Sequence, residues 1–129
     1  MPAENFLNAL SKKVIGASIE VHRQLGPGLL EAVYVECMVA ELAEQGISTS
    51  REVAVPLFYK GRELSKPLRL DLLVENSLIV EAKSVETLLP VHSAQLLTYL
   101  KITGLKLGLL LNFNVEVMRQ GIKRVANGL

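Results

Sequence analysis

The segment PLRLDLLVENSLIVEAK (residues 67–83) decides the fold, because it holds two apolar stretches separated by three polar residues. Residues 67–74 and 78–83 are rich in Leu, Val and Ile, which predicts two β-strands. Glu75, Asn76 and Ser77 lie between them and predict a turn. We therefore expect this segment to fold as an antiparallel hairpin.

Charged residues interrupt these apolar strands at a few positions, and Asp71 is the only Asp in a chain with 13 acidic residues. If the hairpin is centred on Asn76, Asp71 lies opposite Glu81, and facing residues have Cβ atoms about 4.5–5.5 Å apart. Lys83 shares the face of Glu81, because side chains two residues apart point the same way. A two-residue turn would break this parity, so the register depends on a three-residue turn.

Two opposed carboxylates repel each other, which leaves two interpretations of this pair. A shared proton, the nearby Lys83 or a divalent cation would offset the repulsion, and oxygen ligands favour Mg²⁺ or Mn²⁺. Such an ion would lower the pKa of a bound water and stabilise charge on a phosphoryl oxygen. Alternatively, Glu81 and Lys83 form an ion pair on a solvated sheet face, which would contribute little to stability.

The flanking sequence predicts helices before the hairpin and a helix and strand after it. Apolar residues at i, i+3, i+4 and i+7 predict a helix over residues 7–25, ended by Gly26-Pro27-Gly28, and a second helix over about residues 29–45. Residues 51–59 predict one strand, with Val53, Val55, Leu57 and Tyr59 on one side, and Lys60-Gly61-Arg62 predict a turn. Residues 90–103 predict a helix and residues 106–113 a central strand, whereas residues 115–129 fit either an edge strand or a helical turn.

This order predicts an α/β fold with three layers, α/β/α, around a central mixed sheet. The core order is α-β-β-β-α-β, preceded by an N-terminal helix. The length of 129 residues suits a single domain that spans residues 1–129.

Composition excludes several classes of protein. Hydrophobic residues make up 50% of the chain and charged residues 21%, which argues against disorder. The net charge of +1 excludes a strongly basic nucleic-acid binder. The start of the chain lacks the pattern of a signal peptide, and no apolar run is long enough to span a membrane. Cys37 is the only cysteine, so no internal disulfide forms, and we expect a cytoplasmic location.

Several motifs together resemble those of a known family. Asp71, followed after nine residues by Glu81-Ala82-Lys83, resembles the catalytic signature of the PD-(D/E)XK nuclease superfamily, although Leu70 stands where the superfamily name implies Pro. The segment GLLEAVY (residues 28–34) resembles the motif that names the GxxExxY family, a branch of that superfamily. The segments HRQLGPG (residues 22–28) and AQLLTY (residues 94–99) extend the resemblance, which covers about residues 14–124.

The resemblance implies a role for each matching residue. Asp71 and Glu81 would be metal ligands, Glu31 an accessory acid that completes the metal shell, and Lys83 the catalytic lysine. Gln95, Tyr99 and Tyr34 would be accessory residues. The implied activity is that of a nuclease or phosphodiesterase that uses Mg²⁺ or Mn²⁺ and acts on DNA or RNA. The alternative is a binding module that keeps the nuclease fold without turnover and acts through a protein partner or as a homodimer.

Ordinary structural roles also account for several of these residues. Glu31 is a first-turn acid that would stabilise a helix N-terminus, and Tyr34 fits a core aromatic residue. Gln95 and Tyr99, with His92, form a polar stripe that faces either the site or solvent. Lys60, Arg62, Lys66 and Arg69 surround one hairpin and form either a local phosphate-binding patch or an ordinary solvated loop. Base-stacking residues are scarce, since the chain has no Trp.

Overall fold

A computed structural model describes residues 2–129, and its first two elements are the expected helices. Helix α1 (Pro2–Leu25) and helix α2 (Glu31–Glu44) pack against each other, with the Gly26-Pro27-Gly28 turn between them. Gly26 and Gly28 have φ values of +70° and +98°, a backbone conformation that a side chain disfavours. No helix within residues 2–129 is long and apolar enough to cross a membrane.

Five strands form the central sheet, in the order β1-β4-β5-β6-β7. Their bounds are Thr49–Val55 for β1, Leu68–Val74 for β4, Leu78–Lys83 for β5, Leu107–Asn112 for β6 and Ile122–Ala126 for β7. Two short strands, β2 (Phe58–Tyr59) and β3 (Arg62–Glu63), pair only with each other. Helix α3 (Pro90–Thr103) connects β5 to β6, which pair in parallel, whereas the other neighbouring strands are antiparallel.

The register of the β4–β5 hairpin is the expected one. Leu72 pairs with Val80 and Val74 with Leu78, so Glu75, Asn76 and Ser77 form a three-residue turn. Glu75 and Asn76 both have positive φ, and the Ser77 N–H donates to the Val74 carbonyl at 3.0 Å. Continued by one residue, this register places Asp71 opposite Glu81.

Two apolar layers cover the two faces of this sheet. The layer against α1 and α2 contains Leu72, Val80 and Leu109, and the layer against α3 contains Ile79, Leu96 and Leu110. Strand β6 is buried at every position, because both layers cover it. The structure thus has the three-layer arrangement and the mixed sheet that the sequence predicts.

The structure corrects one sequence prediction and resolves an alternative that the sequence left open. The single strand expected over residues 51–59 is wrong: β1 ends at Val55, and β2 belongs to a separate hairpin. Pro56 follows Val55 and has no N–H to donate to a sheet ladder, which explains why pairing ends there. The chain end contains both alternatives, since a 3₁₀ turn (Met118–Gly121) precedes the edge strand β7.

Candidate active site

The side chains of Asp71 and Glu81 each accept a backbone N–H from the opposite strand. The Asp71 backbone N–H donates to Glu81 Oε2 at 2.9 Å, and the Ala82 backbone N–H donates to Asp71 Oδ2 at 3.0 Å. The regular β4–β5 pairing ends one step earlier, at Leu72 and Val80. Each carboxylate therefore accepts a backbone N–H in the place where the ladder opens, which holds both acids together despite their like charge.

Strand β4 changes face at Asp71. Leu70 packs in the α3 layer and Leu72 in the α1–α2 layer, although residues two apart on a regular strand share a face. The strand opposite shows a matching irregularity, because Glu52 has a φ of +48° and lies between the paired residues Arg51 and Val53. This local irregularity turns Asp71 out of the regular alternation and places it at a gap in the sheet.

Burial makes ionisation of both acids unfavourable. Glu81 is only 4% exposed, and burial, followed by the charge of Asp71, raises its pKa to about 7. Burial also raises the pKa of Asp71, while its hydrogen bond from the Ala82 N–H and the charge of Lys83 act in the opposite direction. Buried acids with raised pKa values that sit beside a cation are typical of functional sites.

Lys83 lies at the end of β5, in a segment that is held from two sides. Its carbonyl accepts the Phe113 N–H at 3.0 Å. The buried Asn112 side chain accepts the Val85 N–H at 3.1 Å and donates to the Val85 carbonyl at 2.9 Å. On the other side, Ser84 donates through its hydroxyl to the Leu29 carbonyl at 2.8 Å. These contacts fix the backbone of residues 83–85 and so the position of Lys83.

Glu31 begins helix α2 beside the two acids, and its Oε1 accepts the Ser84 N–H at 3.2 Å. Burial is the main cause of the raised pKa of Asp71 and of Glu81, and the negative charge of Glu31 adds to it at both. Glu31 and Asp71 line one cavity of about 190 Å³ together with Arg51 and Glu52. Within residues 2–129, however, no three His, Cys, Asp or Glu side chains are grouped closely enough to hold a metal ion.

Helix α3 presents Tyr99 to the same site. Burial raises the pKa of the Tyr99 hydroxyl, and the charges of Glu81 and Asp71 raise it further, whereas Gln95 lowers it. Gln95, one turn earlier, is exposed. His92 instead caps the start of α3, where its Nδ1 accepts the Leu89 N–H at 2.9 Å. The polar stripe is thus divided between the site and the helix end.

Tyr34 lies in the core rather than among the carboxylates. It is fully buried and stacks on Phe113, with ring centroids 4.3 Å apart. Its hydroxyl donates to the Gly26 carbonyl at 2.6 Å and accepts the Leu29 N–H at 3.1 Å. These contacts anchor the turn that precedes Glu31, so the structure gives Tyr34 a positioning contact and no contact with Asp71 or Glu81.

Three residues near the site were not predicted from the sequence. Arg51 and Glu52 line the cavity with Asp71, and Asn112 holds the segment after Lys83. The position of Asn112 offered a signal, because a polar amide at the end of an otherwise apolar central strand needs a buried hydrogen-bond partner. Arg51 and Glu52 offered none, since charged residues at the start of an edge strand are common.

A family comparison identifies this arrangement. The family model described as the PD-(D/E)XK nuclease superfamily matches residues 8–125. The chain belongs to the PD-(D/E)XK nuclease superfamily. No curated protein and no solved structure matches it. Superfamily membership agrees with the helix and strand order and with the place of Asp71, Glu81 and Lys83 on adjoining strands.

The superfamily implies a divalent metal, and the chemistry of the two central acids fits one. Mg²⁺ prefers oxygen ligands, retains several waters and commonly uses only one or two protein carboxylates. Asp71 and Glu81 each use one carboxylate oxygen for a backbone N–H, so the second oxygen of each has no hydrogen bond from residues 2–129. The pair therefore fits a two-carboxylate site, and Glu31 as a third ligand stays a prediction.

Proposed function

We propose that this protein is a divalent-metal-dependent nuclease of the GxxExxY branch that hydrolyses phosphodiester bonds in nucleic acids. One observation carries the proposal: the Asp71 N–H donates to Glu81 and the Ala82 N–H donates to Asp71, which holds the two acids together where the β4–β5 ladder opens. Superfamily membership supports it independently. A structural ion pair would not require two buried acids of like charge to adjoin each other.

Asp71 and Glu81 would hold Mg²⁺ or Mn²⁺, and Glu31 would add negative charge beside them. The ion, when bound, would lower the pKa of a water and stabilise charge on a phosphoryl oxygen. The raised pKa values of both acids are consistent with this role, because the charge of Lys83 offsets the effect of burial only in part and a dication would add positive charge at the pair.

The remaining polar groups would act on the substrate and the water. Lys83 would hold or deprotonate the attacking water or stabilise the negative charge that develops on the phosphoryl group. Arg51, which lines the same cavity as Glu31, would bind a phosphate next to the one that reacts. Tyr99 and Gln95 would position substrate from the α3 side.

A metal-dependent cleavage panel tests this function. Labelled single-stranded, double-stranded and branched DNA, and RNA, would be incubated with the protein and Mg²⁺ or Mn²⁺, with EDTA as the blank. We expect cleavage of at least one substrate and a loss of about 100-fold or more in Lys83→Ala, as is usual for groups that transfer protons in a reaction. Lys101→Ala, an exposed lysine on α3, is the matched control and should cleave normally.

The panel also distinguishes the nuclease from a binding module that keeps the fold. Turnover in Lys83→Ala at the wild-type rate would remove Lys83 from the mechanism. Binding of a nucleic acid with no cleavage of any substrate under any metal condition would contradict the nuclease and favour the module.

A further inference from the structure

The hairpin formed by β2 and β3 stands apart from the central sheet. Its two strands pair only with each other, through Phe58 with Glu63 and Tyr59 with Arg62. Every residue from 58 to 67 is exposed. Nothing in the core therefore requires the aromatic side chains that this hairpin carries.

Two aromatic rings are exposed at adjacent positions of the hairpin. Phe58 is 63% exposed and Tyr59 is 62% exposed, in a chain with only three Phe and three Tyr. The Lys60 ammonium lies 5.4 Å from the centroid of the Tyr59 ring, a cation–π distance that orients the ring without covering it. Exposed aromatic rings of this kind are the platforms on which unpaired bases stack.

Positive charge is concentrated on the same segment. Residues 58–69 contain Lys60, Arg62, Lys66 and Arg69 but only one acid, Glu63, so the segment carries +3 while the whole chain carries +1. The salt bridge found within residues 2–129 joins Arg23 to Glu20, so no carboxylate neutralises these four cations. Tyr59 pairs with Arg62 and so shares one face of the hairpin with that cation, whereas Phe58 pairs with Glu63 on the other face.

The hairpin grows from the strands that carry the site. It leaves β1 after Val55 and returns to β4 at Leu68, and these two residues pair. Asp71 lies three residues further along β4, which is about 10 Å at the usual rise of a strand. The hairpin therefore joins the sheet on the strand that carries Asp71.

We propose that this hairpin binds single-stranded nucleic acid, with a base stacked on Tyr59 and phosphates bound by Lys60 and Arg62. The proposal rests on the proposed function and names the form of nucleic acid that reaches the site. Single strands are the preferred ligand, because the faces of bases are accessible only when they are unstacked. A duplex would offer phosphates to the cations but no accessible base face to Tyr59.

Fluorescence anisotropy with a labelled 20-nucleotide oligo(dT) and a matched duplex tests this surface, on the full chain with EDTA present so that binding is measured without cleavage. We expect Tyr59→Ala to weaken oligo(dT) binding about five-fold or more, with little effect on the duplex, and Phe58→Ala, on the opposite face, to have a smaller effect on oligo(dT). Phe6→Ala, which removes an exposed ring on α1, is the matched control and should bind like wild type.

The cations have a separate signature in the salt dependence. Lys60→Ala with Arg62→Ala should make the plot of log K against log salt shallower by about 1.4, because each lost phosphate contact on a single strand changes the slope by about 0.7. Lys12→Ala with Lys13→Ala on α1 is the control pair, since both lysines are exposed. All these variants should show the wild-type melting temperature.

Three results would overturn the proposal: no binding of oligo(dT) by the wild type at low salt, equal losses for duplex and single strand, or losses no larger than in Phe6→Ala. The nuclease proposal is judged independently by cleavage in the presence of metal. If the protein cleaves nucleic acid but the hairpin variants bind as the wild type does, only the proposal for the hairpin is contradicted. If binding depends on the hairpin but no cleavage occurs, only the nuclease proposal is contradicted.

Discussion

At the scale of the residue, Glu81 is a buried acid that lies next to a second acid. Its side chain is almost completely buried and faces Asp71, so its pKa rises to about 7. The hydrogen bond from the Asp71 N–H stabilises the ionised form of Glu81, but it lowers the pKa less than burial raises it. In the absence of metal, Glu81 thus retains its proton in the folded protein at pH values where it would lose it in the unfolded chain.

This difference predicts that the metal-free protein loses stability as pH rises. The folded-state pKa lies above the unfolded value of 4.5, so the folded state binds more protons between pH 4.5 and 7, and stability falls through that window. The loss is on the order of 3 kcal/mol, at about 1.4 kcal/mol for each unit of pKa. Urea unfolding at pH 5 and pH 8 in EDTA should show Glu81→Gln gaining stability relative to wild type at the higher pH.

The exposed Glu44→Gln is the control for this comparison and should follow the wild type at both pH values. A stability difference between Glu81→Gln and wild type that is the same at pH 5 and pH 8 would show that Glu81 ionises normally.

At the scale of the element, the site depends on an irregularity shared by two strands. Strand β4 moves from one apolar layer to the other between Leu70 and Leu72, and Glu52 opposite adopts a left-handed backbone conformation. The hairpin turn could be predicted from its polar residues, and with it the register that brings Asp71 to Glu81. The change of face could not be predicted, because the alternation of leucines with other residues in β4 is that of a regular strand.

The left-handed conformation predicts an unusual order of substitutions at position 52. At a regular strand position Val is favoured over Gly, but a positive φ is costly for a β-branched side chain and free for Gly. Glu52→Val should lower the free energy of unfolding by about 1–2 kcal/mol, whereas Glu52→Gly should leave it unchanged or raise it. Urea unfolding would measure both.

Ala54 is the matched position for this test, since it lies on the same strand, is exposed and pairs regularly with Arg69. There the ordinary order should hold, with Ala54→Val more stable than Ala54→Gly. The same order at both positions would mean that β1 is regular at Glu52.

At the scale of the whole molecule, the alternation of helices and strands was predicted well because the periodicity changes clearly along the chain. Helix α3 and strand β5 have the predicted bounds, with Pro90 at the start and Gly104 after the end of α3. The turn at Lys60-Gly61-Arg62 was predicted, but the break between β1 and β2 was missed because Leu57 and Tyr59 continue the apolar alternation of β1. A chain with a net charge of +1 has little general attraction for a phosphate backbone. The exposed, positively charged β2–β3 hairpin offers a local surface that could bind one.

The central claim is that Asp71 and Glu81 form a cation site, and a calorimetric titration of the full chain with Mn²⁺ tests it most directly. We expect binding by wild type and Lys83→Ala, no binding by Asp71→Asn or Glu81→Gln, and weaker binding by Glu31→Gln if Glu31 acts through its charge. Titrations at pH 6.5 in buffers of different ionisation enthalpy should also show proton release, because metal ligands must be deprotonated. Asp71→Asn that binds Mn²⁺ as wild type does would contradict the account.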